Sequence, residues 1–104
     1  MYVFGSQEAC RSVAKSMVIP GKEKLNNLII EYFEKSNNYV IVNSITLAAT
    51  HIIIMIRKRL VPYLSEIKNN VLALGTGDIL TNKGSVCISF KLGKIRMLFI
   101  NNHF

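Results

Sequence analysis

Ile52-Ile53-Ile54-Met55-Ile56, followed at once by Arg57-Lys58-Arg59, is the stretch on which the fold turns. Successive residues of a strand point to opposite faces, so an unbroken apolar run has no side to give to water. Such a strand is covered on both faces and lies in the middle of a sheet. The run is also too short for a bilayer, which takes about 20 apolar residues. No other run in the 104-residue chain comes closer to that length.

The neighbouring segments fill in the sheet. Tyr39-Val40-Ile41-Val42 is β-branched and aromatic and reads as a strand, joined to the central run by Leu47-Ala48-Ala49-Thr50. Met1 to Phe4, stopped by Gly5, reads as a short buried strand whose end presents Ser6-Gln7-Glu8. Downstream, residues 57–68 form a basic, proline-containing connector with one helical turn around Leu64. Val71-Leu72-Ala73-Leu74, closed by Gly75, is a further strand.

Val86, Ile88, Phe90 and Leu92 alternate with Cys87, Ser89 and Lys91, the period of a half-buried strand. Gly93-Lys94 is a two-residue turn with glycine first, which suits a type II′ hairpin. The returning run, residues 95–100, is mostly apolar on both faces and predicts a second buried strand, ending in Asn101-Asn102-His103-Phe104.

One helix is clear. Leu25, Leu28, Ile29, Tyr32 and Phe33 recur at helical spacing on one face, predicting a helix over residues 22–35 that ends at Ser36-Asn37-Asn38. Residues 10–19 have no clean period and read as loop. One helix does not cover a sheet with several doubly buried strands, so the chain is expected to be the front part of a larger domain.

Composition limits the functions. The sequence is 50% hydrophobic and 18% charged, which excludes intrinsic disorder. Its net charge is +7, of which residues 57–104 carry +6. A lopsided positive surface points to an anionic partner. Cys10 and Cys87 do not make a disulfide framework and read as small buried hydrophobes. The start Met1-Tyr2-Val3-Phe4 lacks the features of a signal peptide, so a cytoplasmic setting is expected.

Three polar clusters sit at strand ends, where a rigid sheet can hold functional groups. Glu8 is the only carboxylate in the first 22 residues and could serve Mg²⁺, which often takes one or two carboxylates, or be a solvated strand-end residue. His103 could contact a phosphate or move a proton, or be merely solvated. His51, beside the apolar strand, reads as structural. The stretch from Gly75 to Ser85 holds three glycines and Lys83, but Lys83 precedes Gly84, so the nucleotide phosphate-binding motif is absent. It reads as an anion-binding turn or a simple tight turn. Arg57-Lys58-Arg59 has Tyr63 as its only nearby aromatic, a weak nucleic-acid signal.

Taken in order, several of these blocks resemble the inositol polyphosphate 5-phosphatase catalytic domain. They are Tyr2-Val3-Phe4-Gly5-Ser6-Gln7-Glu8, Leu47-Ala48-Ala49-Thr50-His51-Ile52, Asn82-Lys83-Gly84-Ser85-Val86 and Phe99-Ile100-Asn101-Asn102-His103-Phe104. The Asn-Lys-Gly and Asn-x-His blocks carry the resemblance most specifically. The Gln-Glu block fits any member of the wider endonuclease/exonuclease/phosphatase superfamily.

The resemblance implies an α+β fold, the N-terminal part of a deoxyribonuclease-I-like four-layer α/β/β/α sandwich. It implies Mg²⁺-dependent hydrolysis of the 5-phosphate of inositol polyphosphates or phosphoinositide headgroups. Glu8 matches the family's metal ligand, and His103 the histidine that contacts the scissile phosphate. Asn82 and Lys83 match the loop near the substrate side. A positive surface would suit such a substrate and an acidic membrane surface, with no nucleic acid as partner. The family's early Thr-Trp-Asn, its Gly-Asp-x-Asn and its terminal Ser-Asp-His have no counterpart here, and the chain has no tryptophan. The expectation is therefore one partial catalytic domain over residues 1–104 that does not turn over substrate by itself. The competing readings are a nuclease of the same superfamily and a non-catalytic basic phosphoinositide-binding remnant.

Overall fold

The computed structural model describes residues 1–7, 21–74 and 83–104. Two three-stranded antiparallel sheets pack face to face, and one helix lies on the outside of the first. The elements in order are β1 (Tyr2–Ser6), α1 (Gly21–Glu34), β2 (Tyr39–Leu47), β3 (Thr50–Arg57), a 3₁₀ turn (Lys58–Tyr63), β4 (Leu64–Leu74), β5 (Lys83–Leu92) and β6 (Ile95–His103). The first sheet has the order β1-β3-β2 and the second β4-β5-β6.

β3 is central, and its alternation builds both cores. Ile52 and Ile54 face the second sheet and pack with Val86, Ile88 and Phe90 of β5. Ile53 and Met55 face the other way and pack with Phe33 of α1. Each such side chain removed from water contributes roughly 1.5–3 kcal/mol. The central strand thus joins three layers: helix, sheet and sheet. Among the described residues, no helix is long and apolar enough to cross a membrane.

Several expectations need correction. β1 is not buried: Tyr2 and Val3 are 46% and 38% exposed, because β1 is an edge strand paired only with β3 among the described residues. The helix lies where its periodicity puts it, but its buried stripe is rotated. Phe33 is buried and Asn26, Ile29 and Ile30 are half-buried, whereas Leu28 and Tyr32 are exposed. Asn26 joins the inward face because its side chain has a buried partner, described below.

β2 runs on through Asn43 and Ser44 to Leu47, with a bulge between Ile41 and Asn43, so only Ala48-Ala49 turn the chain into β3. The helical turn precedes Leu64 rather than surrounding it, and β4 starts there. β6 has one exposed face, with Ile95, Leu98 and Ile100 all more than half exposed, since it too is an edge. Lys83, Gly84 and Ser85 belong to β5 rather than to a loop. Cys87 is half-buried on the outer face of β5, not buried. Residues 10–19 and the rest of the glycine-containing stretch, 75–82, lie outside the described residues.

The alternation of β5 is as the sequence predicts, with Val86, Ile88 and Phe90 inward. Gly93 has φ +59 and Lys94 does not share a positive φ, as a type II′ turn requires.

A second bulge, between Ser65 and Lys68, sets Glu66 at φ +52 and brings its carboxylate onto the Arg96 guanidinium. The hydrogen bond from Arg96 and its charge hold the Glu66 carboxyl below its ordinary range, helped by Lys91 and Lys68. A lowered folded-state value stabilises the fold above the unfolded carboxylate pKa and loses that effect as pH falls through the folded value. Urea titrations of the parent chain and Glu66→Gln should therefore differ slightly at neutral pH and converge in acid. The pair is exposed, so added salt should shrink the neutral-pH difference too.

Candidate functional site

β3 begins, and β1, β6 and the hairpin β4–β5 end or begin, at one rim of the two sheets. Antiparallel pairing makes this so. Ser6 pairs with His51, Gly84 with His103, Val86 with Asn101, and Lys83 with Leu74.

Asn101 locks the rim together. It lies on the inward side of β6, two residues beyond Phe99, and is 8% exposed. Its Nδ2 donates to the Ser6 carbonyl at 3.0 Å and to the His51 carbonyl at 2.9 Å. Its Oδ1 accepts from the Gln7 side-chain amide. One side chain of the second sheet thus satisfies backbone groups from both β1 and β3 of the first. Buried carbonyls without a donor are costly, so this is a strong positional constraint.

His51 pins the back of the same rim. It is 1% exposed. Its Nε2 lies 2.6 Å from Asn26 Oδ1, and its Nδ1 2.9 Å from Thr46 Oγ1 and 3.0 Å from the Ile45 carbonyl. This explains why α1 turns Asn26 inward. The structural reading of His51 holds. Beside it, Thr50 is fully buried, and its Oγ1 has no hydrogen-bond partner among the described residues.

Of the sequence-predicted site residues, the structure brings two together. Lys83 Nζ lies 2.8 Å from His103 Nε2, and both side chains are half-buried. An ammonium has only protons to offer, so His103 Nε2 accepts, and the ring keeps its own proton on Nδ1 in this arrangement. A lysine point charge held in place by an imidazole suits a phosphate group. Glu8 and Asn82 lie outside the described residues. Each adjoins a residue of the rim: Gln7 is bonded to Asn101, and Lys83 to His103.

The rim's described side chains are amides, hydroxyls, a lysine and two imidazoles, with no carboxylate among them. That donor set fits a phosphate and not Mg²⁺, which prefers carboxylate oxygens. No group of three or more potential metal ligands occurs among the described residues. Asn101 is the residue that sequence reasoning passed over. The signal was present, since a polar residue at the inward position after Met97 and Phe99 must find buried partners.

A family model described as endonuclease/exonuclease/phosphatase family 2 matches residues 1–104. The chain belongs to that family. Among solved structures it is similar to the inositol polyphosphate 5-phosphatase domain of SPsynaptojanin, crystallised in complex with inositol (1,4)-bisphosphate and calcium ion. The TM-score is 0.75 and the identity 24%, over 98% of this chain and 30% of that one. The likeness establishes the fold: two packed sheets with a helix on the first are part of the deoxyribonuclease-I-like sandwich. The chain spans under a third of the length of that domain. Among curated proteins, no relative matches it.

Proposed function

We propose that residues 1–104 are part of a Mg²⁺-dependent phosphatase acting on the 5-phosphate of inositol polyphosphates or phosphoinositide headgroups, in a cytoplasmic setting. The observation that carries this reading is the Lys83–His103 pair at the rim held by Asn101. These are the residues that the resemblance assigns to the phosphate side. The bound inositol bisphosphate of the structural neighbour supports the substrate class.

Phosphoryl transfer depends more on alignment and charge neutralisation than on covalent chemistry by the protein. Lys83 supplies a positive charge to the phosphate oxygens. His103 Nε2, accepting from Lys83 Nζ, holds the ammonium beside that group, and rigidly held groups of this kind act without reorganisation. Asn101 holds the ends of β1 and β6 together, and Glu8 follows Gln7 in the sequence. Mg²⁺ on Glu8 would neutralise charge on a phosphoryl oxygen. The chain alone is proposed to bind but not to turn over substrate.

The test is a titration with inositol (1,4)-bisphosphate in the presence of Mg²⁺, followed by nuclear magnetic resonance. Shifts should centre on Lys83 and His103. Lys83→Met or His103→Gln should each weaken binding by about tenfold, the scale of one charge-assisted hydrogen bond. Phosphate release should be undetectable. Binding unchanged in both variants would refute the assignment. Cleavage of abasic DNA by the chain would favour the nuclease reading instead.

A further inference from the structure

We propose that the 3₁₀ turn Lys58–Tyr63, with the Gly93-Lys94 hairpin tip beside it, is a docking surface for an anionic membrane. It lies at the opposite end of the sheets from the rim. β6 starts at this tip and ends at His103, and β3 starts at Thr50 and ends at Arg57. Five residues of β3 lie between His51 and Arg57, about 20 Å of extended strand.

Three observations meet there. First, the cations are gathered by the fold, not only by the sequence. The Gly93 N–H donates to the Tyr63 carbonyl at 2.8 Å, which brings the turn carrying Lys94 to the same end of the molecule as the 3₁₀ turn that Arg57, Lys58 and Arg59 lead. Among the described residues, none of these four cations has a carboxylate partner, whereas Arg96 is paired with Glu66.

Second, the base of the surface is fixed. The Lys58 N–H donates to the Asn38 carbonyl at 2.8 Å, and its Nζ donates to Asn37 Oδ1 at 2.6 Å. The Arg57 guanidinium lies over the Tyr39 ring, 5.9 Å from its centre, and donates to its hydroxyl. Asn38, Tyr39, Arg57, Lys58 and Arg59 line a shallow cleft of about 300 Å³.

Third, the turn has an apolar crest. It buries none of its six residues, and Val61 and Tyr63 are 44% and 60% exposed. An apolar crest ringed by cations matches the boundary between anionic headgroups and acyl chains, where both kinds of group gain. A single-stranded nucleic acid would instead need a run of free aromatic faces. Tyr39 is already stacked among Phe33, Tyr2 and Arg57, which leaves Tyr63 alone.

The experiment is co-sedimentation of the chain with phosphatidylserine–phosphatidylcholine vesicles, with phosphatidylcholine vesicles as reference. Binding should require phosphatidylserine and fall with added salt. Lys58→Gln with Arg59→Gln should weaken it by about tenfold or more, given the contribution of each cation near a charged leaflet. Val61→Ser with Tyr63→Ser should weaken it comparably while keeping the salt dependence. Lys94→Glu probes the same surface without altering the turn and should weaken binding as well. Lys68→Gln with Lys91→Gln removes equal charge from the outer face of the second sheet and should leave binding nearly intact.

No binding to phosphatidylserine vesicles would overturn the proposal. So would equal losses from the two charge-removing pairs, which would reveal a net-charge effect alone. Tip-dependent binding of a single-stranded oligonucleotide, with none to vesicles, would assign the surface to nucleic acid. The tip substitutions should leave the inositol bisphosphate titration unchanged, so this proposal and the phosphatase reading stand or fall separately.

Discussion

Gly84→Ala should lower the melting temperature by roughly 10–20 °C, the shift that a loss of about 3 kcal/mol gives in a domain of this size. Gly84 follows Lys83 and pairs with both Ala73 of β4 and His103 of β6. Its φ is +149°, a conformation that L side chains rarely adopt. An added Cβ would strike the backbone carbonyl oxygen of Leu72, and would lie 2.7 Å from Leu47 Cδ2 and 3.2 Å from Ala73 Cα. Leu47 can swing aside, but the Leu72 carbonyl belongs to the neighbouring strand and cannot. β4 must then part from β5, so the substitution combines overpacking with backbone strain.

The same displacement disturbs the start of β5, where Lys83 adjoins Gly84, so inositol bisphosphate binding should weaken together with stability. Gly93→Ala is the comparison. Gly93 also has a positive φ, +59°, but open space surrounds it, so only about 1–2 kcal/mol of backbone cost applies. Equal effects of the two substitutions would show that close approach at Gly84 is not what demands glycine there.

Asn101→Leu should cost about 2–4 kcal/mol, although it keeps the branching and heavy-atom count of the side chain. The leucine leaves the Ser6 and His51 carbonyls without the donor that Asn101 now gives them, and each unsatisfied buried acceptor carries a penalty of about 1–3 kcal/mol. Gln7 loses its acceptor as well. Asn101→Asp keeps the shape but turns an acceptor toward two acceptors, and it should be no better tolerated. Chemical denaturation measures the cost. Amide exchange locates it, since protection should fall first at Ser6 and Gln7. Protection lost uniformly, or no loss of stability, would remove Asn101 from its role in joining the sheets.

Much of this architecture was legible because it depends on local alternation. The apolar run at Ile52 to Ile56 could only be central, and it lies between β1 and β2. Val86, Ile88 and Phe90 declared their inward face by a period of two, and Gly93 declared the turn. The errors share one cause. Met1 to Phe4 and residues 95–100 are apolar enough for burial, but burial depends on what covers a strand, and no pattern within a segment records its neighbours. The helix shows the same limit. Leu28 and Tyr32 fit the apolar stripe, yet a part-buried hydrogen bond from His51 to Asn26 accompanies a rotation of that stripe.

The site divides in the same way. Lys83 and His103 could be picked out by resemblance, each within its own block. That they meet at 2.8 Å is a product of the β5–β6 register, which pairs Gly84 with His103. Sequence by itself determined the strands, the turn between β5 and β6, the excess of positive charge and the family blocks, because those reside in the order of neighbouring residues. Tertiary structure alone decided which strands became edges, that Asn101 bonds across two sheets, and that the cations divide between a rim and an opposite tip. The bonds of Asn101 join residues 50 to 95 positions apart, as from Gln7 to Asn101, and only the packing of one sheet on the other brings such residues within reach.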